Sequence, residues 1–160
     1  MLGISLLFIG SVLLVNGIGL NGRMDSRESA PFNLLIGLLV FVINCIALYR
    51  STVSIDYLGV AASLLFTFTY LYLAIVQWFH LKGIGLGWYC LFVSINALVL
   101  ATLSDEYRVM IMWLFWASLW FLFFLVLGLE KQLKFLGNYT IFIGIFTCWI
   151  PGLLMLVDYW

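Results

Sequence analysis

Charge is what this sequence has least of. Only 9% of its 160 residues are Asp, Glu, Lys or Arg, and 66% are hydrophobic; a soluble domain carries about a quarter charged residues and is about half apolar. With a mean hydropathy of +1.19, a chain this short cannot hide its apolar surface in one water-soluble core. The solvent for most of that surface is therefore lipid. The little charge present balances, seven basic against seven acidic residues. No excess of one sign points to nucleic acid or to an acidic partner.

Histidine is nearly missing as well. The single one, His80, falls in a loop position, so the ligands for haem or a metal cluster are lacking and no cofactor is expected. No Asp, Glu, Lys or Arg lies at mid-span. Ion pumps, proton-coupled transporters and voltage sensors need charge at membrane depth, so coupled transport is not expected. An intramembrane enzyme would need a nucleophile with its base, or a metal site, and no such constellation is seen. The three cysteines, Cys45, Cys90 and Cys148, sit in three different apolar runs. They read as small hydrophobes facing lipid or core, not as a disulfide framework. The opening MLGISLLFIG lacks a positive n-region and a nearby small-residue cleavage site, so the first run is expected to be retained.

What is present is six apolar runs, at about 2–20, 32–49, 57–79, 86–103, 109–129 and 139–157. Each meets the roughly 17–25 residues that a helix needs to cross a bilayer core about 30 Å thick. The ten-residue alternation of a membrane β-barrel is absent. The expectation is an all-α integral membrane protein, a single six-helix bundle over 1–160 with short connections and no room for a globular domain. The first, third and fifth loops carry Arg23, Arg27, Lys82, Lys131 and Lys134, and the other side carries Arg50 and Arg108. The positive-inside rule then puts the odd loops in the cytoplasm and both termini outside. Tyr57, Trp78, Trp88, Tyr107, Tyr139 and Trp160 fall at span ends, as aromatics at a membrane interface do.

With charge gone from mid-membrane, neutral groups carry whatever chemistry there is. Gly3, Gly10 and Gly17 recur every seven residues, about two helical turns, and form one smooth stripe that lets another helix approach closely. Leu6, Ile9 and Leu13 form a second stripe that faces either lipid or a lumen. Asn16 needs partners at its depth; it is either an interhelix hydrogen bond or a polar group of a pore. Phe66 and Tyr70 stand at i and i+4, and Phe68 and Tyr72 lie on a different face. Trp113, Trp116 and Trp120 share one helical face. Their rings either fill space or sandwich a planar solute, with indole N–H groups and the Tyr70 hydroxyl offering hydrogen bonds.

In these residues the chain resembles the AmiS/UreI family of urea and amide channels. The resemblance rests on five pieces in order: MLGISLLFIGSVLLVNG, FTFTYLY, GLGWYCLFVSIN, WLFWASLWFLFFLVLG and TCWIPGLL. It implies a bacterial inner-membrane protein with both termini extracytoplasmic. It also implies a homo-hexameric ring with one pore per protomer. The family's narrow pore region falls on Leu6, Ile9 and Leu13, on Phe66 and Tyr70, and on Trp116, Leu119 and Trp120. Trp113 and Trp149 match further family tryptophans.

The departures bear on gating. Acid-gated members have long extracellular loops with several histidines, and a glutamate where Ile143 stands here. This chain has short outer loops without histidine, the side chain that switches between pH 5 and 8. The resemblance thus implies facilitated diffusion of urea, with little or no acid gating, feeding a cytoplasmic urease. The alternatives are a short aliphatic amide such as acetamide serving an amidase, and a membrane scaffold with no pore.

Overall fold

Inside a bilayer no water is at hand to satisfy a peptide group, so an uncharged apolar chain must close its backbone hydrogen bonds within helices. The computed structural model describes residues 1–160 and is all helix, with six helices long and apolar enough to cross a membrane. They are α1 (Leu2–Leu20), α2 (Ser26–Arg50), α3 (Ser54–Trp78), α4 (Ile84–Thr102), α5 (Tyr107–Gly128) and α6 (Leu136–Leu156).

Helix α2 begins at Ser26, ahead of the apolar run, because a polar cap extends it. The Asp25 carboxylate accepts from the Arg27 N–H at 2.8 Å, and the Glu28 carboxylate accepts from the Asp25 N–H at 3.1 Å. This reciprocal pairing satisfies donors that a helix start otherwise leaves orphaned. At α3 the Asp56 carboxylate does the same, accepting from the Thr52 and Val53 N–H groups at 3.0 and 3.3 Å. Before α4 the chain turns at Gly83 with φ of 78°, a left-handed conformation that suits glycine.

Each helix packs on the next in sequence, and α6 returns to α1, so the six close into a ring. Neutral hydrogen bonds join neighbours around it. The Asn44 amide donates to Thr67 Oγ1 between α2 and α3 at 3.0 Å, and the Tyr89 hydroxyl donates to the Leu65 carbonyl between α3 and α4 at 3.2 Å. Ser94 donates to the Ala117 carbonyl between α4 and α5 at 2.8 Å. Such bonds average about 0.6 kcal/mol each in membrane bundles. They fix register more than they add stability.

The α1–α6 closure is made by glycines. A Cβ placed on Gly3, Gly10 or Gly17 would lie 3.0, 2.9 or 2.6 Å from the carbonyl oxygen of Gly152, Gly144 or Gly137 respectively. The stripe read from sequence is a packing seam between two backbones. Its two sides do not share one spacing. The α1 glycines are seven and seven apart, whereas those of α6 are seven and eight apart. Residues Gly144–Trp149 form a π-turn, which takes in an extra residue and keeps the two rows opposite each other.

Candidate permeation pathway

Three cavities follow one another along the inside of the ring. The first, about 170 Å³, opens toward the end that carries both termini and is walled by Leu2, Ser5, Leu6, Ile9, Phe66, Trp113 and Trp116 among others. The second is a neck of about 20 Å³ lined by Leu6, Ile9, Leu13, Phe66, Tyr70, Trp116, Leu119, Trp120 and Cys148. The third, about 40 Å³, is lined by Leu13, Asn16, Thr69, Tyr70, Leu73, Leu86, Cys90, Leu119, Trp120, Phe123 and Leu127. Adjacent cavities share walls. Leu6, Ile9, Phe66 and Trp116 border the first two, and Leu13, Tyr70, Leu119 and Trp120 border the last two. No charged side chain lines any of the three. The neck holds about one water's worth of space.

Helical spacing explains the convergence. Leu6, Ile9 and Leu13 stand at i, i+3 and i+7 on α1, and all are buried. The other stripe of the same helix, the glycines, faces α6. On α3, Phe66 and Tyr70 are buried, whereas Phe68 and Tyr72 point outward. Trp113, Trp116 and Trp120 of α5 touch the Phe66 ring of α3 directly. The Phe66 ring lies nearly parallel to Trp120 at 4.4 Å and to Trp113 at 5.3 Å, and edge-on to Trp116 at 5.1 Å. Such contacts hold ring orientations, at about 0.5–1.5 kcal/mol per pair beyond area burial.

The polar groups of this wall are divided. The Trp116 indole N–H donates to Thr147 Oγ1 on α6 at 2.8 Å and so is committed to the protein. The Tyr70 hydroxyl and the Trp120 N–H have no protein partner. No enclosed polar side-chain atom goes unpaired, so these two open onto the cavities they line. Asn16 makes an interhelix hydrogen-bond pair. Its amide donates to Asn33 Oδ1 at 2.9 Å and its carbonyl accepts from Asn33 Nδ2 at 2.7 Å, while the side chain borders the third cavity. Asn33 also donates to Gln77 Oε1 at 2.9 Å, tying α1, α2 and α3 into one polar knot.

The neck therefore gathers Leu6, Ile9, Leu13, Phe66, Tyr70, Trp116, Leu119 and Trp120, with Trp113 just above them in the first cavity. Trp149 is not among them. It is 41% exposed on the outside of the bundle, and its backbone packs against Gly10. Sequence reasoning did not single out Thr69, Asn33, Gln77 or Thr147, nor the place of Cys90 and Cys148 in the wall. The signal for the amides was available, since each sits inside a helical apolar run and must find a partner there.

A profile of the AmiS/UreI family of transporters matches residues 1–159. The chain is 38% identical to a transporter protein, AmiS2, of Rhodococcus erythropolis, with 96% of this chain and 78% of that one covered. It is 34% identical to the acid-activated urea channel of Helicobacter pylori strain J99, with all of both chains covered. That alignment runs over 198 positions against 160 residues here, so the urea channel carries segments without counterpart. The fold superposes on the crystal structure of the Helicobacter pylori urea channel with a TM-score of 0.88 at 36% identity, over 100% of this chain and 99% of that one.

Proposed function

The chain belongs to the AmiS/UreI family of transporters, and we propose that it is a passive channel for urea across the bacterial inner membrane. One observation carries the reading: an uncharged, aromatic-walled series of cavities that narrows at a single neck. Urea is small, planar and rich in hydrogen-bonding groups, so it crosses lipid slowly. At the neck, Leu6, Ile9, Leu13, Phe66 and Leu119 strip part of its hydration. The Trp120 and Trp116 rings offer flat faces to its plane, and the free Tyr70 hydroxyl and Trp120 N–H replace some lost hydrogen bonds. Binding stays weak enough for exit. An ion would lose its hydration there with nothing to replace it, so it is excluded.

On this reading both termini lie outside, the first cavity is the outer vestibule and Asn16 lies on the cytoplasmic side. Protomers form a homo-hexameric ring in the membrane lipid, each with its own pore. Urea that enters feeds a cytoplasmic urease. A second reading, a short aliphatic amide such as acetamide serving an amidase, is favoured by the higher identity to AmiS2. The wall chemistry suits either solute.

Stopped-flow light scattering of proteoliposomes distinguishes them. The expected result is urea uptake well above that of empty vesicles. Uptake of acetamide without urea transfers the assignment to the amide, and uptake of neither leaves a membrane scaffold.

A further inference from the structure

The hydrogen bond beneath Trp116 does more than satisfy a buried donor. Trp116 borders both the first cavity and the neck, and its ring is 6% exposed. Its N–H is the one polar atom of that ring, and it is turned away from the lumen onto Thr147, itself 4% exposed. Thr147 is set up for this. Its hydroxyl proton goes to the Ile143 carbonyl at 2.7 Å, so the oxygen's lone pairs are left to accept. The helix around it is arranged to the same end. Buried pairs on α6 recur every four residues, at Ile143 and Gly144, Thr147 and Cys148, Pro151 and Gly152. A regular α-helix would rotate about 40° at each such step. The π-turn at Gly144–Trp149 takes up that drift, and Pro151 withholds the N–H that an α-helix would aim at the Thr147 carbonyl.

We propose that Thr147 is a positioning residue for the neck: by engaging the Trp116 indole N–H it fixes that ring, edge-on to Phe66 and Trp113, and keeps its N–H out of the upper neck. This rests on the permeation reading above. The consequence is selectivity. A neck whose upper half is dry passes a planar solute that can stack, while water finds little to bond. Losing the Thr147 acceptor leaves the buried indole N–H with only the Cys148 sulfur beside it, a weak acceptor, which is costly. Lumen molecules then compete for the N–H, the ring turns it toward them, and water gains passage relative to urea.

The test is the ratio of osmotic water permeability to urea permeability in proteoliposomes. Thr147→Val, nearly isosteric, should raise the ratio about fivefold, the net worth of one neutral hydrogen bond. Thr147→Ser keeps the acceptor and should retain the wild-type ratio. Trp116→Phe has no N–H, so adding Thr147→Val to it should change nothing further. An unchanged ratio in Thr147→Val, or a shift that persists when Trp116→Phe is already in place, overturns the proposal. Should Thr147→Val fail to fold, indole N–H exchange in the wild-type protein decides. The Trp116 proton should exchange more slowly than that of Trp120, which has no protein partner, and equal rates overturn the assignment. Wild-type vesicles that pass no urea would sink the channel reading, while the exchange comparison would still judge the role of Thr147.

Discussion

Two of the contacts that build the ring follow opposite principles. Where α1 meets α6, side chains have been removed: glycine faces glycine and a carbonyl stands where a Cβ would be. Where the side chains of α3 and α5 meet inside the ring, they have been made as large as possible, with one phenylalanine packed on three tryptophans. In lipid there is no hydrophobic gain from joining helices, so close van der Waals packing has to hold them. The glycine seam achieves this backbone to backbone and leaves no slack. The aromatic wall encloses empty space beside the rings, and its orientations are held by weak ring contacts and one hydrogen bond. Substitution at the seam should therefore act on the fold, and substitution at the wall on passage.

The largest effect should come from Gly10→Ala. The added methyl would lie 2.6 Å from the Trp149 nitrogen and 2.9 Å from the Gly144 carbonyl oxygen, both backbone atoms that cannot step aside. Overpacking of this kind costs about 1–3 kcal/mol, to be read as a lowered thermal midpoint in detergent. Gly59→Ala is the matched control, since nothing lies within 4 Å of the new methyl; its midpoint should hold or rise. Equal behaviour of the two would break the account of the seam. Next comes Asn33→Leu, at the knot where the seam helix meets α2 and α3. It strands the Asn16 and Gln77 amides at once and should cost about 1–2 kcal/mol in the same assay. Trp120→Ala tests the wall. Losing a stacking surface worth about 1 kcal/mol should cut the preference for urea over a bulkier, non-planar amide roughly fivefold. A preference left intact would remove Trp120 from the pathway.

The same contrast explains what is legible in the sequence. The glycine stripe and the aromatic stripes are periodic along one helix, and a helix of known pitch assigns them faces without further information. Periodicity alone therefore groups most of the residues that surround the neck. What cannot be read that way depends on two helices together. Thr147 matters because of Trp116, 31 residues away, and no pattern within α6 announces the pairing. The π-turn left only a faint trace, the eight-residue interval between Gly144 and Gly152 against seven everywhere else in the seam. Trp149 shows the limit from the other side. Matching family tryptophans nominated it for the pathway, but it lies between two glycines whose backbones press on α1, and its ring is left outside the bundle.

The smallest effect expected is that of acid. A gate that opens between pH 7.5 and 5 needs a group whose charge changes in that interval, coupled to the neck. Histidine is the side chain whose ordinary range lies there, and the only one, His80, lies between α3 and α4, at the end of the bundle opposite the termini. The two loops beside the termini, between α2 and α3 and between α4 and α5, contribute Asp56, Asp105 and Glu106. Glu106 pairs with Arg108, and the Thr52 and Val53 amides hold the Asp56 carboxyl below the ordinary carboxylate range. Asp56 is moreover committed to capping α3, accepting from the Thr52 and Val53 amides. The neck contains no group that titrates into a charge over the same interval. Urea flux at pH 5 should therefore match flux at pH 7.5 within about twofold, well under one tenfold step. A steep rise in acid would break the separation between rigid frame and passive wall. It would mean that the loops, and not the aromatic neck, set the rate of passage.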